Sequence, residues 1–557
     1  MAFDSTNRQT RLMIIQKLRE YLKNNNIDYL WINTTDEFLV EYNELANSSR
    51  YFVTGFTGST GDALLSQDNL WQFADGRYHE QAEKEVNPEF VTVVKVQLGE
   101  RVSDLMMERV KDGASVGIVV SKISLGFYNL LKMKLEAKGC RIVDLLKDPV
   151  ELFADFKTSG GSGICKRVDE SITGISADKK LSIFFNHIES NACYLETNLE
   201  NIAYMTNLRQ YKTPYSSVFK AKAVFEGGHG YIFTNEDTEE IGEKFKVFPL
   251  SYFKEFIKGK NNIFYNPENL NRADYLLIEG RAKEADYDFV AIMKSIKTHA
   301  EIEHLKSCFE RTDKVVEKIG EIVCSETPVS EFELSEKVLE EYLNRGARQL
   351  SFKTILAAGA NSSVIHYSHP SKEVFVKDGD FVLLDCGGHF EGGYSTDITR
   401  TFLRAKPDKL QKKVYTTVLK MFLNVYNYEL KEDTNGQELD SLARKIADDS
   451  GLMGEFNFNH GLGHGVGINV HEHPPVLSGG PAGRNILRKN MVVTIEPGLY
   501  KAGFGGVRLE NTVYVDEVNG KHKFCSFSKV KFQDNLIEQE LLTDEEKLWL
   551  KNWQDEK

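Results

Sequence analysis

The chain has 557 residues, 41% hydrophobic and 27% charged, the make-up of a globular protein too long for one ordinary domain and pointing to three. A net charge of -13 with no basic stripe to offset it argues against nucleic acid as the main partner. Seven cysteines, odd in number and without CxxC pairs, fit a reducing compartment; with no signal-peptide core after Met1 and no apolar run long enough to cross a bilayer, cytoplasmic residence without a membrane partner is the expectation.

Ile15, Leu18 and Leu22 repeat at helical spacing before Tyr29-Leu30-Trp31-Ile32 switches to a buried strand, which opens an α/β domain over residues 1–157. Gly55 to Gly61 could pass for a phosphate loop, but no Gly-Lys-Ser/Thr follows, so a turn between strands is the better reading. Residues 158–163, Thr-Ser-Gly-Gly-Ser-Gly, form the clearest linker, and a helix-then-strand pattern restarts near Asp178 and Leu181 in a second domain, 171–295. Tyr51-Phe52-Val53-Thr54-Gly55-Phe56 lines up with Ala203-Tyr204-Met205-Thr206-Asn207-Leu208, so the two domains are expected to be related. The acidic run from Asn235 to Glu240 reads as a solvated helix start. A third pattern opens at Lys297, where Ile302, Leu305, Phe309 and Val316 mark one long amphipathic helix at the head of a domain spanning 296–557.

This last stretch carries the chemistry. Asp385, Asp397, His464, Glu496 and Glu510 are five oxygen or nitrogen donors, and four carboxylates with one imidazole suit a pair of hard divalent cations. Four carboxylates brought together repel by roughly 4 kcal/mol per contacting pair at an effective dielectric near 20, so such a cluster protonates or separates unless cations neutralise it. Phe381–Asp385 is an apolar strand ending in an acid, Glu391-Gly392-Gly393-Tyr394 a turn, and Ser395–Phe402 the returning strand; a hairpin would bring both Asp residues together. Val492–Gly498 and Val507–Glu510 are two further strand-like runs bearing an acid. His460-Gly461-Leu462-Gly463-His464-Gly465-Val466-Gly467 is too rich in glycine for a helix, so its two histidines do not share a helical face as in a zinc-protease helix. Any one Asp on a strand is more often solvated than ligating, and Cys386 reads as a small buried thiol rather than a nucleophile.

The pieces IHYSHP (365–370), LLDCGG (383–388), STDITRTF (395–402), HGLGHGVG (460–467), VHE (470–472), TIEPGLY (494–500) and GVRLENT (506–512) together resemble the pita-bread metallopeptidases, most closely the three-domain cytosolic Xaa-Pro aminopeptidases. The resemblance extends upstream through Tyr51–Gly61, Asp75-Gly76-Arg77-Tyr78 and Thr173-Gly174-Ile175-Ser176. It implies an α/β chain: two related creatinase-like N-terminal domains and a C-terminal α+β pita-bread catalytic domain. It further implies that Asp385, Asp397, His464, Glu496 and Glu510 bind two divalent metal ions per subunit, Asp397 and Glu510 bridging them. His366, His471 and Arg508 would line the substrate site, with His460 in a supporting layer. Oxygen-rich ligation favours manganese, with zinc or cobalt as substitutes. Two departures from the family pattern stand out. Asp385 and Asp397 are twelve residues apart where the family has eleven, which places an extra residue in the turn at Gly392-Gly393 or in a bulge. The loop from His464 to His471 is short, and His473 has no family role.

The activity so implied is removal of the first residue from peptides with proline in second position, by a hydroxide held between the two metals. Glu496 would take and pass on its proton, His366 and His471 would stabilise the tetrahedral intermediate, and Arg508 would orient a ligand carboxylate. A homodimer and proline-containing peptides are the implied partners. The alternatives are a prolidase acting on Xaa-Pro dipeptides and a pita-bread binding protein without activity; two upstream domains speak against the first and a complete donor set against the second.

Overall fold

Ile14, Ile15, Leu18 and Leu22 fall on one face of the helix Ser5–Asn24 and pack on Leu30 and Ile32 of the strand Tyr29–Ile32, as their spacing predicts. The protein is described by a computed structural model covering residues 5–156, 163–189 and 191–555, so the expected linker at 158–163 lies, apart from Gly163, outside the described residues. Two compact units emerge. One comprises Met1–Cys165, Ala177–Thr206 and Phe219–Asp288, the other Lys166–Ser176, Asn207–Val218 and Phe289–Lys557.

The first unit holds two six-stranded sheets built to one plan. Numbered in chain order within each sheet, the strands lie 4-3-2-1-5-6 in both. In each, strands 1–2 and 2–3 are antiparallel, and 3–4, 1–5 and 5–6 are parallel. The aligned hexapeptides occupy equivalent places: each runs out of a short helix, Ser49–Thr54 or Leu199–Thr206, in which the last threonine hydroxyl donates to a carbonyl four residues back. Gly55 and Asn207, the next residues, both have left-handed backbone, φ +83° and +54°. The expected repeat is therefore present in three dimensions.

Two local expectations need correction. Gly55 to Gly61 connects a helix, not a strand, to the strand Ala63–Ser66. The acidic run Asn235–Glu240 forms no helix; its backbone pairs with Cys165, which accepts from Glu239 N at 2.9 Å and donates to Asp237 O at 2.8 Å. Those two bonds hold it extended.

In the second unit the long helix is His299–Cys324, opened by a capping box in which Thr298 and Glu301 satisfy each other's backbone N–H groups. It packs Val315, Val316, Ile319 and Val323 on Leu356, Val382 and Leu384 of a three-stranded sheet, Ile355–Ala358, Phe381–Cys386 and Ile398–Leu403. A five-stranded sheet lies in the same unit, in the order Glu472–Leu477, Gly463–Gly465, Val492–Ile495, Asn511–Val518, Lys521–Ser526. The helices Lys409–Tyr426 and Gly436–Asp449 share a core with it. None of the seven cysteines forms a disulfide, and among the described residues no helix is long and apolar enough to cross a membrane.

Candidate active site

The hairpin forms as the sequence predicts: its ladder runs without slip from Phe381↔Leu403 to Cys386↔Ile398, which sets Asp385 opposite Thr399. Between the two ladder strands the excursion 387–397 carries a two-residue strand of its own, Gly388–His389, which pairs with Gln349–Leu350. That excursion contains consecutive left-handed glycines, Gly392 (φ +75°) and Gly393 (φ +74°). Only Asp385 and His464 sit within strands. Asp397 precedes one, Glu496 follows the strand Val492–Ile495, and Glu510 sits between Gly505–Arg508 and Asn511–Val518. The run to Gly498 expected as one strand is broken at Glu496-Pro497, and a new strand, Gly498–Lys501, begins beyond it to pair with Gly505–Arg508. Three of the acids thus occupy breaks, where a side chain can turn inward without obeying the alternation of a strand.

All five donors converge. Asp397, His464 and Glu510 offer ligand atoms within 4.8 Å of one another. His464 Nε2 lies 3.6 Å from Asp397 Oδ2 and 3.4 Å from Glu496 Oε1. Asp385 pairs with Arg508, whose Nη2 is 2.7 Å from its Oδ2, while Asp385 Oδ1 is buried and accepts no hydrogen bond among the described residues. Burial first, then the charges of Glu510, Asp385 and Glu496, pushes Asp397 well above the usual carboxylate range. Glu510 is pushed up in the same way, by burial and then by Glu496 and Asp385. Glu496 rises to about 7, burial outweighing the opposing charge of Arg508. Such a cluster holds its charge only beside cations, and the oxygen-rich set with an orphaned carboxylate oxygen fits two hard divalent ions.

The histidines take graded places. His471 packs edge-on against His464, ring centroids 4.5 Å apart. His460 is buried, its Nδ1 3.8 Å from Glu496 Oε2 and its Nε2 2.9 Å from the Tyr500 hydroxyl. His366 is half-buried beside Ile365, whose carbonyl accepts from Arg508 Nη1 at 3.4 Å. His473 is exposed.

A layer of hydroxyls that sequence reasoning missed holds these groups. Thr399 Oγ1 donates to Glu510 Oε2 at 2.6 Å and accepts from Arg508 Nε at 3.2 Å. Thr494 Oγ1 accepts from His464 N at 3.0 Å and lies 3.4 Å from Glu496 Oε1. Thr512 Oγ1 donates to Asp397 O at 2.8 Å. Tyr500 OH accepts from Arg508 Nη1 at 2.7 Å, joining Arg508 to His460. Burial pushes the Tyr500 phenol up to about 12, so it stays protonated at neutral pH. Each of these residues lies inside a motif already singled out, which was the available signal.

Residues 303–517 match the model of metallopeptidase family M24, and residues 14–148 and 162–301 each match a model of the creatinase/prolidase N-terminal domain. Two relatives, from Pyrenophora teres f. teres and Coprinopsis cinerea, both named probable Xaa-Pro aminopeptidase P, are 27% and 28% identical. Each alignment covers 97% of this chain, and 88% and 93% of the respective relative. Among solved structures, X-prolyl aminopeptidase from Caenorhabditis elegans, described as a cytosolic enzyme with a di-nuclear active site, shares the fold at a TM-score of 0.90 and 24% identity, over 98% of this chain and 94% of that one. A prolidase from Pyrococcus horikoshii aligns over 99% of its own length but 65% of this chain, with 26% identity and a TM-score of 0.52.

Proposed function

We propose that this chain, which belongs to metallopeptidase family M24 with two creatinase/prolidase-type domains upstream, is an Xaa-Pro aminopeptidase that releases the first residue of peptides with proline in second position. The observation that carries the reading is the convergence of Asp385, Asp397, His464, Glu496 and Glu510 on one buried point, within a chain that aligns along nearly its whole length with relatives named for that activity. In this reading the three domains span 1–157, 171–295 and 296–557, the enzyme is a cytoplasmic homodimer, and Asp385, Asp397, His464, Glu496 and Glu510 would hold two manganese ions. Bound there, the ions supply Lewis acidity toward the scissile carbonyl and a water ionised near neutral pH.

The chain's own groups do the rest. Glu496, whose carboxyl sits half-buried beside Arg508 and His464, accepts the proton of the attacking water and returns it to the proline nitrogen as the C–N bond breaks. His471 and His366 donate hydrogen bonds to the oxygen that gains charge at the tetrahedral stage. Arg508 fixes one oxygen of Asp385 and leaves the other free to ligate, while Tyr500 and His460 keep Arg508 and Glu496 in register. Proline in second position has no N–H and a fixed φ, so a site that does not rely on gripping that N–H is required.

The deciding experiment incubates manganese-loaded protein with an Xaa-Pro-Xaa peptide and, separately, an Xaa-Pro dipeptide, with mass-spectrometric detection of the first residue. Cleavage of the longer peptide is expected. Cleavage of the dipeptide alone would reassign the chain as a prolidase, against which stands the third of the chain that the Pyrococcus prolidase leaves unmatched. Cleavage of neither would make it a metal-retaining binding protein.

A further inference from the structure

The backbone from Val466 to His471 is a loop closed at its base by the antiparallel pair Gly465↔Glu472, and His471 is its last residue. Glu472 closes the same loop a second time through its side chain. Its carboxylate turns back under the loop, where Oε2 accepts from Ile468 N at 2.9 Å and Oε1 pairs with Lys297 Nζ. Lys297 is itself fixed at three points: its Nζ donates to Lys294 O at 2.8 Å, its N–H donates to Asn490 O at 3.0 Å, and the next residue, Thr298, caps the long helix. Lys294 Nζ stands 3.9 Å from the other carboxylate oxygen. All three side chains are 3% exposed or less. A Cβ on Gly467 would come within 2.3 Å of Glu472 Oε2, so the backbone has been brought onto the carboxylate as closely as glycine allows.

Burying an ion pair is expensive, and an apolar pair of equal volume would pack as well. What an apolar pair would lack is an acceptor for Ile468 N–H inside a loop that must present His471 edge-on to His464. Burial would raise the Glu472 carboxyl, but Lys297 and Lys294 outweigh it and hold it below its ordinary range, so it remains an acceptor throughout the neutral region. We infer that Glu472, locked by Lys297, is a positioning residue for the reaction: it holds the 466–471 loop in the one shape that sets His471 against the metal-binding cluster. This inference rests on the aminopeptidase reading for its kinetic arm.

The test uses the full chain loaded with manganese and two charge-neutral pairs. Lys297→Met with Glu472→Leu removes the acceptor; Lys297→Met with Glu472→Gln keeps an amide oxygen in its place. The Leu pair is expected to hold the same metal content and KM while kcat on an Xaa-Pro-Xaa peptide falls about 100-fold, the scale of a misplacement near 1 Å, and the Gln pair to recover most of that loss. Equal kcat in both pairs, or wild-type kcat in a folded Leu pair, would overturn the inference. Should the Leu pair not fold, Gly467→Ala displaces the same carboxylate without altering a charge, and a folded, metal-loaded Gly467→Ala enzyme with wild-type kcat overturns it equally. If the wild type itself leaves the peptide intact, the aminopeptidase reading fails on its own. The loop is then read by histidine NMR on protein loaded with diamagnetic zinc in place of manganese, in which the His471 ring signal, assigned by its loss in His471→Ala, should move in the Leu pair and stay in the Gln pair; a signal unmoved in both overturns the positioning role.

Discussion

In the proposed mechanism Glu496 meets two demands, a ligand's and a proton carrier's, and His464, the Thr494 hydroxyl and the charge of Arg508 all bear on its carboxylate. Replacing it with glutamine keeps the shape and removes the proton acceptor, so kcat on an Xaa-Pro-Xaa peptide is expected to fall by at least about 100-fold with a wild-type circular dichroism spectrum. His464→Ala is expected to lose bound metal as well, measured by plasma emission on dialysed protein. Tyr500→Phe leaves Arg508 and His460 each short of a partner, at a cost of about 1–3 kcal/mol in a urea melt. A titration prediction concerns the other unit. Glu196 is fully buried, and burial, then the nearby Asp288, raises its carboxyl to about 8. Between the ordinary carboxylate range and about 8 the folded chain keeps a proton that the unfolded chain has released, so this contribution to stability is complete at low pH and declines as pH rises through that window. Glu196→Gln should flatten the fall in melting temperature across it; an unchanged slope would place the burden elsewhere. At this scale the sequence was legible wherever a residue type announces its chemistry. The five donors that the structure brings together could be named because carboxylates and imidazoles crowd together for few reasons. Thr399 could not, since its value depends on Glu510, 111 residues away.

Secondary-structure elements were legible where a single periodicity ran uninterrupted. The helix His299–Cys324 was announced by Ile302, Leu305, Phe309 and Val316, and its capping box adds a testable increment: Thr298→Ala should cost about 1 kcal/mol in a denaturant titration. The hairpin of the first two Asp donors also followed from its apolar run and glycine turn. The strands around Glu496 and Glu510 were harder. Their apolar alternation continues through Pro497 and Leu509, but the pairing changes partner there: Val492–Ile495 lies against Asn511–Val518, and Gly498–Lys501 against Gly505–Arg508. A change of partner leaves no mark on periodicity, which reports the buried face and is silent about which strand lies alongside. The misread run at Asn235–Glu240 has a related cause, because its extended form depends on Cys165, some seventy residues earlier in the chain.

For the molecule as a whole, exhaustive chelation is expected to abolish peptide cleavage and manganese to restore it, and light scattering is expected to give twice the 63.3 kDa chain mass. Persistent activity after chelation would count against the two-ion site, and a single species of chain mass against the dimer. The weak likeness between two hexapeptides proved a true index of architecture, since both sheets share one strand order. What the linear reading did not reveal is that the unit holding the active site includes Lys166–Ser176 and Asn207–Val218 as well as the C-terminal stretch. Ser217 Oγ lies 2.8 Å from Gly393 O and 2.9 Å from Ile468 O, bridging the turn between the Asp donors and the loop that carries His471. Tyr211 OH donates to Phe390 O at 3.2 Å, and Gln349 Nε2 donates to the carbonyls of Thr213 and Ser216.

Order of synthesis gives this arrangement a further meaning. The segment Asn207–Val218 is synthesised well before Phe390, Gly393 and Ile468 exist to receive it, so a nascent chain carries its hydroxyls and backbone groups without these partners until the C-terminal stretch is made. The site cannot be assembled early, and a chain that stalls before Asp385 carries none of the five donors.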